Sequence, residues 1–78
     1  MISSWTKEYD EIAECTRYYR TYQFNNIEYT AEITELPYNK FGWNIYKDFY
    51  RIECGIDDSF EYAANSCDVQ FMVDCNIS

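Results

Sequence analysis

Ile27-Glu28-Tyr29-Thr30-Ala31-Glu32-Ile33-Thr34-Glu35-Leu36 is the stretch on which the fold turns. Ile27, Tyr29, Ala31 and Ile33 alternate with Glu28, Thr30, Glu32 and Thr34. Successive side chains of a strand point to opposite faces, so this run has one apolar face and one acidic face. Asn25-Asn26 precedes it and reads as a turn, because Asn tolerates positive φ. Pro37 stops it and leaves 37–42 (Pro-Tyr-Asn-Lys-Phe-Gly) as a loop. On the other side of the turn, residues 16–24 are β-branched and aromatic enough to be a strand, with helix as the alternative there.

Further out the pattern changes. Ser3 and Ser4 are helix N-cap candidates. Trp5, Tyr9, Ile12 and Tyr19 follow near helical spacing, with Glu8 placed where a helix dipole favours it, so a first helix is predicted at about 4–15. Residues 43–54 are extended, but Trp43 and Ile45 are apolar at odd positions while Tyr50, Ile52 and Cys54 are apolar at even ones. A period of two cannot place both sets on one face, so a bulge or a tight turn is required at 47–49. The turn is preferred, with strands at about 42–46 and 49–54, ended by Gly55. Asp58 with Glu61 three residues later forms a capping box. Phe60, Ala63, Ala64, Cys67 and Phe71 then share one helical face. A helix is predicted from 59 to about 68, and 69–75 fits either helix or strand. The expected fold is therefore α+β. A three- to four-stranded antiparallel sheet carries an N-terminal and a C-terminal helix on one face, in a single domain over 1–78.

Composition supports a folded chain. A domain of 78 residues buries only about 60–65% of its unfolded surface, yet nine Tyr, five Phe and two Trp supply large core residues. Each removes about 150–250 Å² from water when buried. Fourteen Asp and Glu against six Lys and Arg give a net charge of −8. That argues against direct nucleic-acid binding, which needs cations on the phosphates, and against anionic membranes. The first eight residues have neither a basic region nor an apolar run, and no stretch reaches the ~18 apolar residues of a membrane span. The expected location is the cytoplasm. There Cys15, Cys54, Cys67 and Cys75 serve as small buried apolar groups, with two disulfides as the alternative.

Catalytic signals are absent from the sequence. There is no His, which removes the commonest general base and metal ligand. No C-x₂-C unit suggests zinc, and two isolated glycines build no phosphate loop. The chain is expected to be a binding protein without cofactor or metal.

Two features point to a docking surface. Glu28 and Glu32 lie on one strand face about 13 Å apart at ~3.3 Å per residue, with Glu35 beyond them. Glu8 and Glu11, followed by Glu14, lie along one side of the expected first helix. The tyrosines, Tyr29 and Tyr38 among them, are too many to hide together, and exposed Tyr is favoured at binding hot spots. The candidate partner-binding residues are Glu8, Glu11, Glu28, Glu32, Glu35, Tyr29 and Tyr38. Duplex DNA as long as this domain, about 30 Å, carries about 18 charges. A net −8 is under half of that, which suits a plug over part of a basic groove and makes the chain at most a partial DNA mimic.

A short, acidic, single-domain chain without catalytic signatures resembles small virus-encoded anti-defence inhibitors such as anti-CRISPR proteins of phages. That resemblance implies a non-catalytic inhibitor of a nucleic-acid-handling host protein with a basic surface, acting in the host cytoplasm. Glu28-Tyr29-Thr30-Ala31-Glu32-Ile33, Gly42-Trp43, Gly55 and Ser59-Phe60-Glu61-Tyr62-Ala63 are similar to the strand–strand–helix segment of HicB-type antitoxin domains, without that family's proline-containing loop. The alternatives are an antitoxin-like regulator and a small assembly homodimer that pairs edge strands, 16–24 being the candidate edge.

Overall fold

The computed structural model describes residues 4–76, so Ser3 lies outside the described residues. Five strands are present: β1 (Thr6–Asp10), β2 (Cys15–Phe24), β3 (Ile27–Leu36), β4 (Lys40–Lys47) and β5 (Tyr50–Asp57). They form an antiparallel meander in the order β1-β2-β3-β4-β5. A 3₁₀ turn at Pro37–Asn39 joins β3 to β4, and the helix α1 (Phe60–Asp74) packs on one sheet face. The expected fold is corrected in two respects. The sheet has five strands instead of three or four, and there is no N-terminal helix among the described residues.

The reason lies in residues 6–15. Asp10 acts in a turn instead of a helix interior: its Oδ1 accepts the backbone N–H of Ile12 and of Ala13, each at 3.0 Å. Its Oδ2 holds Arg17 at 3.1 Å. The chain therefore reverses over 11–14, and β1 returns along β2 with Glu8 opposite Arg17 and Lys7 opposite Tyr18. The turn that Asp10 closes, with its hold on Arg17, outweighs the weak helical spacing of the apolar residues. Consequently 16–24 lies between β1 and β3 and is not an edge.

The middle of the sheet follows the alternation. Odd residues of β3 and β4 and even residues of β2 face α1. Tyr22, Tyr29, Ala31, Ile33, Trp43 and Ile45 are buried there with Ala63, Cys67 and Phe71 of the helix. The parity change after Trp43 and Ile45 is resolved by both devices. Asp48-Phe49 is a two-residue turn with φ of 47° and 75°. In addition, Ile45 pairs with Glu53 while Tyr46 pairs with Arg51, which leaves Ile52 as a bulge. Gly55 does not end β5. It pairs with Trp43, whose indole occupies the space that a Cβ on Gly55 would enter at 2.7 Å.

α1 begins one residue later than expected. Ser59, not Asp58, is the cap, its Oγ accepting the N–H of Tyr62 at 3.1 Å. Asp58 is paired instead with Lys40. Residues 69–74 continue the helix because Phe71 stacks on Tyr22 (centroids 4.4 Å, 19°) and meets Tyr29 edge-on at 5.0 Å. All four cysteines are free. Only Cys67 is buried; Cys15 and Cys75 are half-buried, and Cys54 is exposed, which corrects the expectation of four buried thiols.

Candidate protein-docking surface

The ionic side chains divide by type. All four ion pairs among the described residues use an aspartate: Asp10–Arg17, Asp68–Arg20, Asp58–Lys40 and Asp74–Lys47. Asp68 also accepts the Tyr22 hydroxyl, and Asp74 accepts that of Tyr29 at 2.5 Å. These bonds tie α1 to the sheet. They also shift titrations. The Tyr29 hydroxyl, then Lys47, hold the Asp74 carboxyl below its ordinary value. The N–H groups of Ala13 and Ile12, with Arg17, lower Asp10. Burial first, then the carboxylate partner, raises Tyr22 and Tyr29. A short carboxylate loses less rotamer freedom on pairing than a long one, which suits Asp to fixed contacts. No glutamate forms an ion pair among the described residues, so the glutamates carry the outward charge.

That charge is unevenly placed. Strand register allows the sheet to be divided between Ala31 and Glu32. The half that includes Leu36 holds the β1–β2 turn, the β3–β4 turn and the β5–α1 corner. It contains nine of the fourteen carboxylates (Glu8, Asp10, Glu11, Glu14, Glu32, Glu35, Asp57, Asp58 and Glu61) and three of the six cations (Lys7, Arg17 and Lys40). The other half contains five carboxylates and three cations. The net charge is thus −6 in one half and −2 in the other.

Exposed apolar groups rise from the acidic half. Ile12 is 97% exposed in the β1–β2 turn, and Tyr38 is 93% exposed in the β3–β4 turn. Tyr38 holds φ of 63°, an unfavourable backbone for a non-glycine residue. Two shallow hollows flank Leu36. One, of about 600 Å³, includes Tyr9, Glu14, Glu35 and Pro37. The other, of about 460 Å³, lies above Gly42 on the sheet face away from α1, between Thr34, Asn44, Cys54 and Ile56. The missing side chain at Gly42 opens this second hollow, and Leu36 leans toward the gap, 3.1 Å from where a Cβ would stand.

The residues expected from the sequence separate accordingly. Glu8, Glu11, Glu35 and Tyr38 share the acidic half. Glu35 accepts the Tyr18 hydroxyl at 3.1 Å; burial first, then this carboxylate, raises the Tyr18 titration. Glu32 lies at the dividing line, half-buried, with Asn44 Nδ2 donating to it at 3.4 Å. Glu28 is exposed in the other half. Tyr29 is 2% exposed and belongs to the core. The alignment of Glu8, Glu11 and Glu14 along one helix side does not occur, because these residues lie on β1 and its turn. Ile12, Asp57, Asp58 and Glu61 join the surface, although the sequence assigned Ile12 to a helix and Asp58 and Glu61 to a helix cap. Their sequence signal was position alone: each lies at a chain reversal that the meander gathers at one end.

Comparison with known protein families, curated proteins and solved structures gives no match to this chain.

Proposed function

We propose that the chain is a non-catalytic inhibitor that docks its acidic half into the basic groove of a nucleic-acid-handling host protein, such as a CRISPR or restriction effector. The observation that carries this reading is the concentration of nine carboxylates against three cations in one half of the sheet, beside the exposed Ile12 and Tyr38. The carboxylates supply long-range attraction and orientation. The two exposed side chains supply apolar area that desolvates on contact. The charge suits coverage of part of a groove, as in a partial mimic of the DNA backbone. The setting is the cytoplasm of the host cell, with no cofactor.

The test is DNA cleavage by such an effector, titrated with this chain at about 50 and 300 mM salt. Exposed charges are screened beyond about 8 Å at physiological ionic strength, so inhibition weakens at the higher salt. Glu11→Lys with Glu14→Lys weakens it at least tenfold, whereas Glu28→Lys in the other half leaves it within about threefold. Inhibition that ignores both salt and the paired reversal would refute the reading, as would unhindered cleavage across a panel of effectors.

A further inference from the structure

The β4–β5 turn closes against the start of β3. The Asp48 N–H donates to the Glu28 carbonyl at 3.1 Å, and Thr30 pairs with Tyr46 further along the same ladder. Even residues of β3 and β4 point away from α1, onto the uncovered face of the sheet. There Glu28, Thr30, Tyr46, Asp48 and Phe49 line a hollow of about 350 Å³. Its size is at the low end of small-ligand sites, about 300–1,000 Å³. Two of the lining groups are carboxylates, and neither Glu28 nor Asp48 forms an ion pair among the described residues. Two are rings, and neither Tyr46 nor Phe49 packs on another ring or receives a cation among the described residues. The cations of the chain are engaged elsewhere. Arg17, Arg20, Lys40 and Lys47 pair with aspartates, and Lys7 lies over the Tyr18 ring. Arg51 faces Tyr46 across the ladder, but it does not line the hollow and pairs with no carboxylate among the described residues.

We propose that this hollow is a binding site for a small alkylguanidinium compound.

Charge complementarity sets the sign of the ligand. Two carboxylates beside one space repel each other, and an entering cation relieves that repulsion. The rings narrow the choice. A cation over an aromatic face is attracted by the ring quadrupole. Guanidinium is planar and more weakly hydrated than an ammonium, so it leaves water for a ring at lower cost. The acceptors narrow it further. Guanidinium carries N–H donors all round its plane, enough for both carboxylates and the Thr30 hydroxyl while its face stays on a ring. A quaternary ammonium has no donor for those acceptors, and a bare metal ion has no use for the apolar Phe49 ring, which is 99% exposed and adds no buried area to the core. The site is separate from the proposed docking surface. It lies in the half of the sheet with net −2, away from Ile12 and Tyr38, which favours a small compound over an arginine of the basic partner.

Backbone amide NMR of the full chain, titrated with ethylguanidinium chloride to about 30 mM at constant ionic strength, tests this. That is far below the molar range in which guanidinium unfolds proteins. Saturating shifts are expected around Glu28, Thr30, Tyr46, Asp48 and Phe49. The expected dissociation constant is about 1–10 mM, because exposed charge and ring contacts are individually weak. Glu28→Gln, Asp48→Asn and Phe49→Ala each weaken binding by about threefold or more, with no fall in the urea midpoint. Tetramethylammonium, which lacks N–H donors, binds about fivefold more weakly or worse, and neutral ethylurea does not bind. Arg51→Gln binds at least as well as the natural chain. Shifts that stay linear to the highest concentration would overturn the proposal, as would equal binding of tetramethylammonium or an affinity unchanged by all three lining variants. So would binding that appears only in Arg51→Gln, since the chain would then fill the hollow with its own guanidinium. Binding of acetyl-Gly-Arg-Gly-amide about tenfold tighter than ethylguanidinium would overturn the assignment to a small compound.

Discussion

At the scale of single residues, stability rests on a few positions that allow no substitute. Gly55 lies under the Trp43 indole, where a methyl group would stand 2.7–2.8 Å from three ring atoms. Either the ring or the backbone of β5 must move. Gly55→Ala is therefore expected to cost about 1–3 kcal/mol, an overpacking penalty, measured as a lower urea midpoint. Asp68 and Tyr22 show the asymmetry of a partly buried polar pair. Tyr22→Phe removes one donor and leaves Asp68 bound to Arg20, at a cost of about 1 kcal/mol. Asp68→Ala strands both the Tyr22 hydroxyl and the Arg20 guanidinium, with a larger loss of about 2–4 kcal/mol. Equal losses in the two variants would contradict the bonding described here.

At the scale of elements, the turns hold strain that sequence changes can release. Asp48-Phe49 joins β4 to β5 with both residues at positive φ, and Phe49 is 99% exposed. A left-handed conformation costs a non-glycine residue about 1–2 kcal/mol. Phe49→Gly is expected to stabilise the chain by about 1 kcal/mol and raise the Tm by several degrees, because this turn type favours glycine in the second central place. A fall in Tm would mean that the Phe49 side chain has a structural contact. The elements differed in how plainly the sequence announced them. β3 was legible because its period of two holds from Ile27 to Thr34 and Pro37 ends it, and Asn25-Asn26 marked the turn between β2 and β3. The C-terminal helix was legible up to Cys67, where Val69, Phe71 and Val73 also alternate. Stacking of Phe71 on Tyr22 decides that segment, and no local pattern contains it. β1 was illegible because its pairing is set by partners seven to eleven residues away, Arg17 and Tyr18, while its apolar residues happen to fall near a helical period.

At the scale of the whole molecule, titration predicts a broad plateau with two edges. Asp10 and Asp74 titrate below 3.8 in the fold. Their stabilisation is complete above that pH and is lost as pH falls through their folded values. Cys67 is pushed up to about 12 by burial, and Tyr22 and Tyr29 are raised as well. Raised groups stabilise fully below their unfolded values, about 9 for the thiol and 10 for the phenols, and that contribution is lost as pH climbs beyond them. The chain has no His, and the shifted carboxyls, thiol and phenols among the described residues lie at the two edges. Urea midpoints are expected to be flat from about pH 5 to 8, lower near pH 3, and lower again above about pH 10. A midpoint that changes between pH 6 and 7.5 would contradict this. The docking surface was only partly legible at this scale. Composition revealed the excess of carboxylates, and the meander determines where they gather.

That meander also fixes an order of assembly. Each strand pairs with the strand next to it in the chain, so hairpins can close as the polypeptide emerges, with short loops and little closure entropy. The cover over their apolar side, α1, is made only after all five strands. Until α1 is released, Tyr22, Tyr29, Ile33, Trp43 and Ile45 have no lid, and a nascent or truncated chain ending near Asp57 presents a bare, sticky sheet. Synthesis of α1 therefore separates an aggregation-prone open sheet from a covered one.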